Sequence, residues 1–191
     1  MENGGNMTLG EMVVDWAKEN GGYVEVPSGD NPVGERNRDS VKIKVESNKA
    51  ADVLNSILQR FADKSICVVG TSCCGKTSFA RYIGNCVCME EAMCYLFSEQ
   101  ELQQVMQSPW TTEIGETMDR LVNSKIKTQP GFPIFGTVVM DSDLVVYLNI
   151  SNGMLVARCE EQGISFEDAS LMKEKIERDL IGLENVIEIC Y

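Results

Sequence analysis

The sequence predicts an α/β fold in which a mostly parallel sheet is wrapped by helices in a three-layer domain. Residues 66–69 form a short, unbroken apolar run, which is typical of a strand buried on both faces of a sheet, and the largely apolar runs at 144–150 and 186–189 predict two further strands. Helical patterns alternate with these runs, as they do in parallel α/β domains. The 191 residues are 43% hydrophobic and 24% charged, which is ordinary for a globular chain of this length.

Residues 1–63 are interpreted as a small N-terminal α+β extension, and residues 64–191 as the main domain. Thr8 and Glu11 have the spacing of a capping box, and the apolar positions after them predict a helix that ends near residue 20. Alternating apolar and polar residues predict strands at 23–26 and 41–46. An amphipathic pattern from residue 48 to about 62 predicts a second helix.

The composition excludes several classes of function. With 29 acidic and 17 basic residues, the net charge is −12, so the chain should be repelled by nucleic acids and by anionic membranes. We therefore expect no nucleic-acid and no membrane partner. The chain has no histidine, which excludes histidine-based catalytic triads and metal sites that need a histidine. Its apolar runs are far shorter than the roughly 20 residues that span a bilayer.

The eight cysteines bear on whether the protein works in an oxidising or a reducing compartment. The first residues lack the basic flank and the apolar run of a secretory signal peptide, and the cysteine spacings match no structural zinc site. We therefore expect a cytoplasmic protein whose cysteines are free thiols.

The strongest motif directly follows the apolar run at 66–69. Residues 70–77 read GTSCCGKT, a complete GxxxxGK[ST] pattern that we call the glycine loop. Glycines let the backbone approach an anion closely, and backbone N–H groups at the start of the predicted helix 76–83 can hold phosphates. Lys76 would reach the β- and γ-phosphates, and the Thr77 hydroxyl would be a ligand of Mg²⁺.

The nucleotide-binding residues predicted from this motif are Gly70, Thr71, Ser72, Cys73, Cys74, Gly75, Lys76, Thr77 and Ser78. Two other interpretations of the same residues stay open. The loop can be a glycine-rich structural turn, or its two cysteines can sense redox conditions, because thiols at a helix N-terminus tend to have a lowered pKa.

With this motif, the chain resembles the P-loop nucleoside-triphosphate hydrolase superfamily. Residues 136–139 (GTVV) and 143–148 (DLVVYL) look like the cytidylate-kinase segment that leads into the fourth strand of the sheet. Residues 151–158 (SNGMLVAR) are similar to the helix of small nucleoside, nucleotide and metabolite kinases whose arginine enters the lid over ATP. The resemblance covers residues 65–191.

The resemblance implies a P-loop three-layer domain that uses ATP and Mg²⁺. It implies transfer of a phosphoryl group from ATP to a nucleoside, a nucleotide or a small metabolite, with Lys76 and Arg158 as catalytic residues. The chain departs from the kinase pattern at two places. Residues 132–134 (FPI) stand where cytidylate kinases have Gly-Arg-Asp, and Glu160 and Glu161 follow Arg158 where a second arginine is expected. A nucleotide-binding regulatory or partner-binding module with little catalysis, or a simple NTPase, is therefore the alternative function.

Asp141 is the candidate carboxylate on the magnesium side of the site. Residues 138–141 read as an apolar strand that ends in an aspartate, the Walker B form. Only Asp141, Ser142 and Asp143 separate this run from the one that begins at Leu144. Because parallel neighbours need a connection of about a dozen residues, at most one of the two runs can be parallel to residues 66–69. If the later run is the parallel one, Asp141 lies at the edge of the sheet away from the phosphates.

We predict that thiol titration of the denatured protein, purified from a reducing cytosol, finds all eight cysteines free. The measurement is a colorimetric thiol count in denaturant, with a fully reduced sample as the control. Two or more disulfides in freshly purified protein would contradict the prediction.

Overall fold

A computed structural model describes residues 7–19, 40–183 and 185–191. The strands that these residues form are β1 (Ser40–Lys44), β2 (Ile66–Val69), β3 (Val87–Cys88), β4 (Ile134–Gly136), β5 (Leu144–Asn149) and β6 (Val186–Cys190). Their α-helices are α1 (Leu9–Glu19), α2 (Ala50–Arg60), α3 (Lys76–Ile83), α4 (Met89–Leu96), α5 (Glu99–Val105), α6 (Thr112–Lys125), α7 (Asn152–Gln162) and α8 (Phe166–Asp179). A 3₁₀ turn, Ser47–Lys49, precedes α2. None of the helices in the described ranges is long and apolar enough to cross a membrane.

All strands of the described part of the chain belong to one parallel sheet, in the order β1-β6-β5-β2-β4-β3. The central strand β2 pairs on both sides, and its Val68 lies opposite Val146 of β5 and Phe135 of β4. After β2 the chain adds β3 and β4 on one side of it, and then β5 and β6 on the other. Such a reversal opens a crevice at the carboxyl ends of the strands, where ligands bind in open α/β sheets. The prediction of a mostly parallel α/β sheet is confirmed.

Helices cover both faces of the sheet, so the domain has three layers. On one face, Ile66 and Val68 of β2 pack in a core that includes residues of α1, α2, α3 and α7. On the other face, Cys67 and Val69 pack in a second core that includes residues of α4, α5, α6 and α8. Because successive strand residues point to opposite faces, a run that is apolar throughout can fill both cores.

The described part of residues 1–63 contributes a strand and two helices to the main sheet and its core. β1 joins the main sheet, with Ile43 opposite Ile189 of β6, and Trp16 of α1 and Leu54 of α2 lie in the same core as Val68. The predicted capping box is confirmed at the start of α1. The backbone N–H of Thr8 donates to the Glu11 carboxylate at 2.7 Å, and the N–H of Glu11 donates to Thr8 Oγ1 at 3.3 Å. The strand predicted at 23–26 lies outside the described residues.

The interpretation of residues 138–141 as a strand is wrong, and the alternative, in which the run from Leu144 is the parallel one, is confirmed. β4 ends at Gly136, before this segment, and Val138 and Met140 are buried without belonging to a strand. The physical reason is the direction of the chain. Because β4 and β5 are both parallel to β2, residues 137–143 must run back from the carboxyl edge of the sheet to its amino edge. A returning segment cannot be a parallel strand.

We predict that Gly136→Ala lowers the free energy of unfolding by about 1–3 kcal/mol, because it overpacks a buried site. A Cβ at Gly136 would lie 2.7 Å from Cβ of Met89 and in contact with the rest of that side chain. Urea unfolding measures the change. Gly153→Ala in α7 is the matched control, since nothing lies within 4 Å of its added Cβ, and alanine there should be neutral or stabilising. Equal midpoints for Gly136→Ala and the unchanged protein would contradict the packing of β4.

Candidate functional site

The glycine loop lies at the carboxyl edge of the central strand, between β2 and α3. Gly70 continues β2, and its N–H donates to the carbonyl oxygen of Gly136 at 3.1 Å. A Cβ on residue 70 would lie 2.6 Å from Cys74 Sγ and 3.1 Å from Leu148 Cβ, so only glycine fits. The loop is thereby held at the reversal point of the sheet, with β4 on one side and β5 on the other.

The backbone of the glycine loop suits an anion. Cys73 and Gly75 have positive φ angles, 60° and 102°, and left-handed residues within a turn can direct successive N–H groups into one concavity. Gly75 is the N-cap of α3, and no side chain caps this end of the helix. The N–H groups of Lys76, Thr77 and Ser78 therefore have no partner within the helix, and they carry its positive end.

Lys76 points back into the glycine loop. Its Nζ donates to the carbonyl oxygens of Gly70 at 2.8 Å and Thr71 at 2.7 Å, and the side chain is partly buried. Phosphate oxygens are stronger acceptors than carbonyl oxygens, because they are charged. The ammonium group can therefore exchange loop carbonyls for phosphate oxygens without leaving the loop.

Helix α8 holds the other side of the glycine loop. The buried hydroxyl of Thr71 donates to the carbonyl oxygen of Ala169, and Ser72 Oγ lies 3.6 Å from Met172 Sδ. The Thr71 hydroxyl thus has a structural partner within the protein.

The magnesium ligands predicted from the sequence do not come together. Thr77 is exposed on the first turn of α3, where its hydroxyl can reach a bound ion. Asp141 lies three residues before Leu144, which pairs with Ile66 at the amino end of β2. The glycine loop follows the other end of β2, so Asp141 does not fit a magnesium site shared with Thr77.

The strand ends beside the loop supply no replacement for Asp141. Neither residues 137–140 after β4 nor residues 150–153 after β5 include an aspartate or a glutamate. Within the described ranges, no group of three or more His, Cys, Asp or Glu side chains could hold a metal ion. Thr77 still fits Mg²⁺, because this ion commonly completes its shell with phosphate oxygens and water.

Arg158 contacts the glycine loop through backbone carbonyl oxygens of the loop. Nη1 donates to the carbonyl oxygens of Cys74 at 2.8 Å and Cys73 at 3.4 Å, and Nη2 donates to Ser47 Oγ at 3.3 Å. The guanidinium group lies over the ring of Tyr191, 5.9 Å from its centroid. The Tyr191 hydroxyl also donates to the carbonyl oxygen of Cys74, at 2.6 Å.

Cys73 of the glycine loop has a raised pKa. Burial is the main cause and the neighbouring Cys159 thiol adds to it, whereas Lys76 acts in the opposite direction; together they put the pKa of the Cys73 thiol at about 11. The thiol therefore stays protonated at neutral pH, which disfavours the redox-sensing interpretation. All eight cysteines are free in the structure.

Sequence reasoning missed Ser47 and Tyr191 as neighbours of the glycine loop. Both are far from it in the chain, and neither belongs to a motif. A signal existed for both, because each comes within two residues after the end of a predicted strand, and the carboxyl ends of parallel strands share one edge of the sheet.

Comparisons with models of protein families, with curated proteins and with solved structures found no match for this chain. The residues and geometry of the glycine loop are therefore the features that bear on function.

Proposed function

We propose that this protein binds a nucleoside triphosphate, ATP with Mg²⁺, at the glycine loop. The observation that carries the proposal is the position of Lys76. Its ammonium group lies inside a loop that joins the buried central strand to the uncapped N-terminus of α3. A polyphosphate supplies the negative charge that this arrangement of donors and helix dipole can stabilise.

The roles of the loop residues follow from their chemistry. The backbone N–H groups at the start of α3 bind the β-phosphate, Lys76 binds the β- and γ-phosphates as a point charge, and Thr77 offers its hydroxyl to Mg²⁺. When bound, the ion neutralises charge on the phosphate oxygens. The exposed Thr77 and Ser78 leave the first turn of α3 open to the ligand.

The first candidate use of the nucleotide is transfer of its γ-phosphoryl group to a nucleoside, a nucleotide or a small metabolite. The resemblance of residues 65–191 to small kinases supports this use. Phosphoryl transfer depends mainly on positioning and on charge stabilisation, so a loop with Lys76 and Thr77 provides part of the machinery.

The second candidate is a nucleotide-binding module with little catalysis, and two observations favour it. Residues 137–140 after β4 and 150–153 after β5, where a magnesium-side aspartate is expected, contain no carboxylate. Arg158, the candidate lid cation, donates to the carbonyl oxygens of the loop and to Ser47. A third use, hydrolysis without an acceptor, is distinguished from these two by its product.

We predict that millimolar ATP with Mg²⁺ raises the melting temperature by about 5–11 °C. A ligand at a hundredfold excess over its Kd stabilises the folded state by about 2.7 kcal/mol, and each kcal/mol raises Tm by about 2–4 °C in a domain of this size. Differential scanning fluorimetry measures the shift. Lys76→Ala should remove most of it, whereas Lys127→Ala, at an exposed lysine between α6 and β4, should keep it. No shift in the unchanged protein would overturn the proposal.

We predict that a panel of nucleosides, nucleotides and small metabolites, incubated with γ-labelled ATP, separates the candidate uses. A kinase phosphorylates an acceptor at about 1–100 per second, in the usual range of such enzymes. A binding module gives no labelled acceptor above the hydrolysis background, and a simple NTPase releases labelled phosphate without an acceptor. Lys76→Ala is the control, because any turnover at this site should fall with it.

A further inference from the structure

One carbonyl oxygen of the glycine loop accepts two strong hydrogen bonds. The Cys74 oxygen receives the Tyr191 hydroxyl at 2.6 Å and Arg158 Nη1 at 2.8 Å. The same Nη1 reaches the Cys73 oxygen at 3.4 Å. The Tyr191 side chain is buried, so water competes little for this oxygen.

Holding the Cys74 oxygen also orients the next N–H group. A trans peptide unit is planar, and the carbonyl of Cys74 and the N–H of Gly75 point in opposite directions within it. Donors on the carbonyl side therefore direct the Gly75 N–H to the other side. They also polarise the peptide unit, and a polarised unit is a stronger donor at its N–H end.

We propose that Tyr191 and Arg158 are positioning residues, which fix the Gly75 N–H of the glycine loop as a donor to the phosphates of a bound nucleoside triphosphate. The inference rests on the proposed function and deepens it. Arg158 acts in it through the Cys74 carbonyl, rather than as a cation placed over the transferred phosphate. Both residues lie outside the GxxxxGK[ST] motif, and the motif assigns them no role in binding a nucleotide.

Rigid parts of the fold hold both side chains in place. Tyr191 directly follows β6, its N–H donates to Asn149 at 3.2 Å, and its carbonyl accepts from Ser151 at 2.7 Å. Its ring packs edge-to-face on Phe79 of α3, with centroids 5.9 Å apart. Arg158 lies on α7 and is also tied to Ser47 at 3.3 Å. Removal of the tyrosine hydroxyl alone therefore leaves the ring anchored.

The test is the Kd for ATP with Mg²⁺, measured by titration calorimetry on the full chain at a temperature where circular dichroism shows each variant folded. Tyr191→Phe should weaken binding about three- to tenfold, the equivalent of one hydrogen bond. Tyr82→Phe is the matched control, because its exposed hydroxyl donates to Asp52 at 2.7 Å, away from the loop, and Kd should stay within twofold. A merely structural role of Tyr191 would lower the melting temperature of the empty protein without changing Kd.

Arg158→Lys is the second variant. It tests the proposal by itself in case the Tyr191→Phe variant does not fold. Lysine keeps the charge but cannot make the same set of hydrogen bonds, so Kd should again rise about threefold or more. The Kd of the double variant should rise by less than the product of the two single fold-changes, because both substitutions free the same peptide unit. If the two single fold-changes in Kd multiply in the double variant, the shared action on the Cys74 carbonyl is overturned.

The remaining outcomes separate this inference from the proposed function. If the unchanged protein binds no ATP, both are overturned. If it binds ATP, and the folded Tyr191→Phe or Arg158→Lys variant binds within twofold of it, the inference alone is overturned. Slower phosphoryl transfer by Arg158→Lys with an unchanged Kd would make Arg158 a lid cation and would likewise overturn its positioning role.

Discussion

The parallel pairing of β2 between β4 and β5 is the constraint on which the rest of the structure depends. A strand that is paired on both sides and buried on both faces has a fixed position, and Val68 shows this with partners in both neighbouring strands. The connections of parallel strands must cross the sheet, which brings helices to both faces. The same pairing places the carboxyl end of β2 at the reversal of strand order, where a loop can face a ligand.

The glycine loop is held on three sides by parts of the chain that are distant in sequence. Gly136 of β4 accepts the Gly70 N–H, Ala169 of α8 accepts the Thr71 hydroxyl, and Cys74 receives Tyr191 and Arg158. Lys76 adds a fourth set of contacts from within. Anion binding by backbone N–H groups depends on their directions, and a loop held in advance loses less conformational entropy when it binds. Under the proposed function, residues outside the motif therefore contribute to binding by fixing the loop.

Elements with a strong local pattern could be predicted, and elements defined by their partners could not. The run at 66–69, the helix at 76–83 and the capping box at Thr8 were each found within about two residues. β3 and β4 were not predicted, because they have only two and three residues and are defined by their pairing. The short helices α4 and α5 were missed as well, and so was α6, although it has 14 residues. The error at 138–141 has a similar cause, since apolar residues on a returning segment look locally like a strand.

The sequence by itself determined the α/β class, the glycine loop and the positions of Lys76 and Thr77, because these depend on residues adjacent in the chain. Only the tertiary structure decided that β1 joins the main sheet, that Asp141 lies at the opposite edge from Thr77, and that Arg158 contacts the loop through carbonyl oxygens. The physical reason is that strand order and strand direction decide which distant residues share an edge of the sheet. These depend on the burial of whole faces, which no short stretch of sequence encodes.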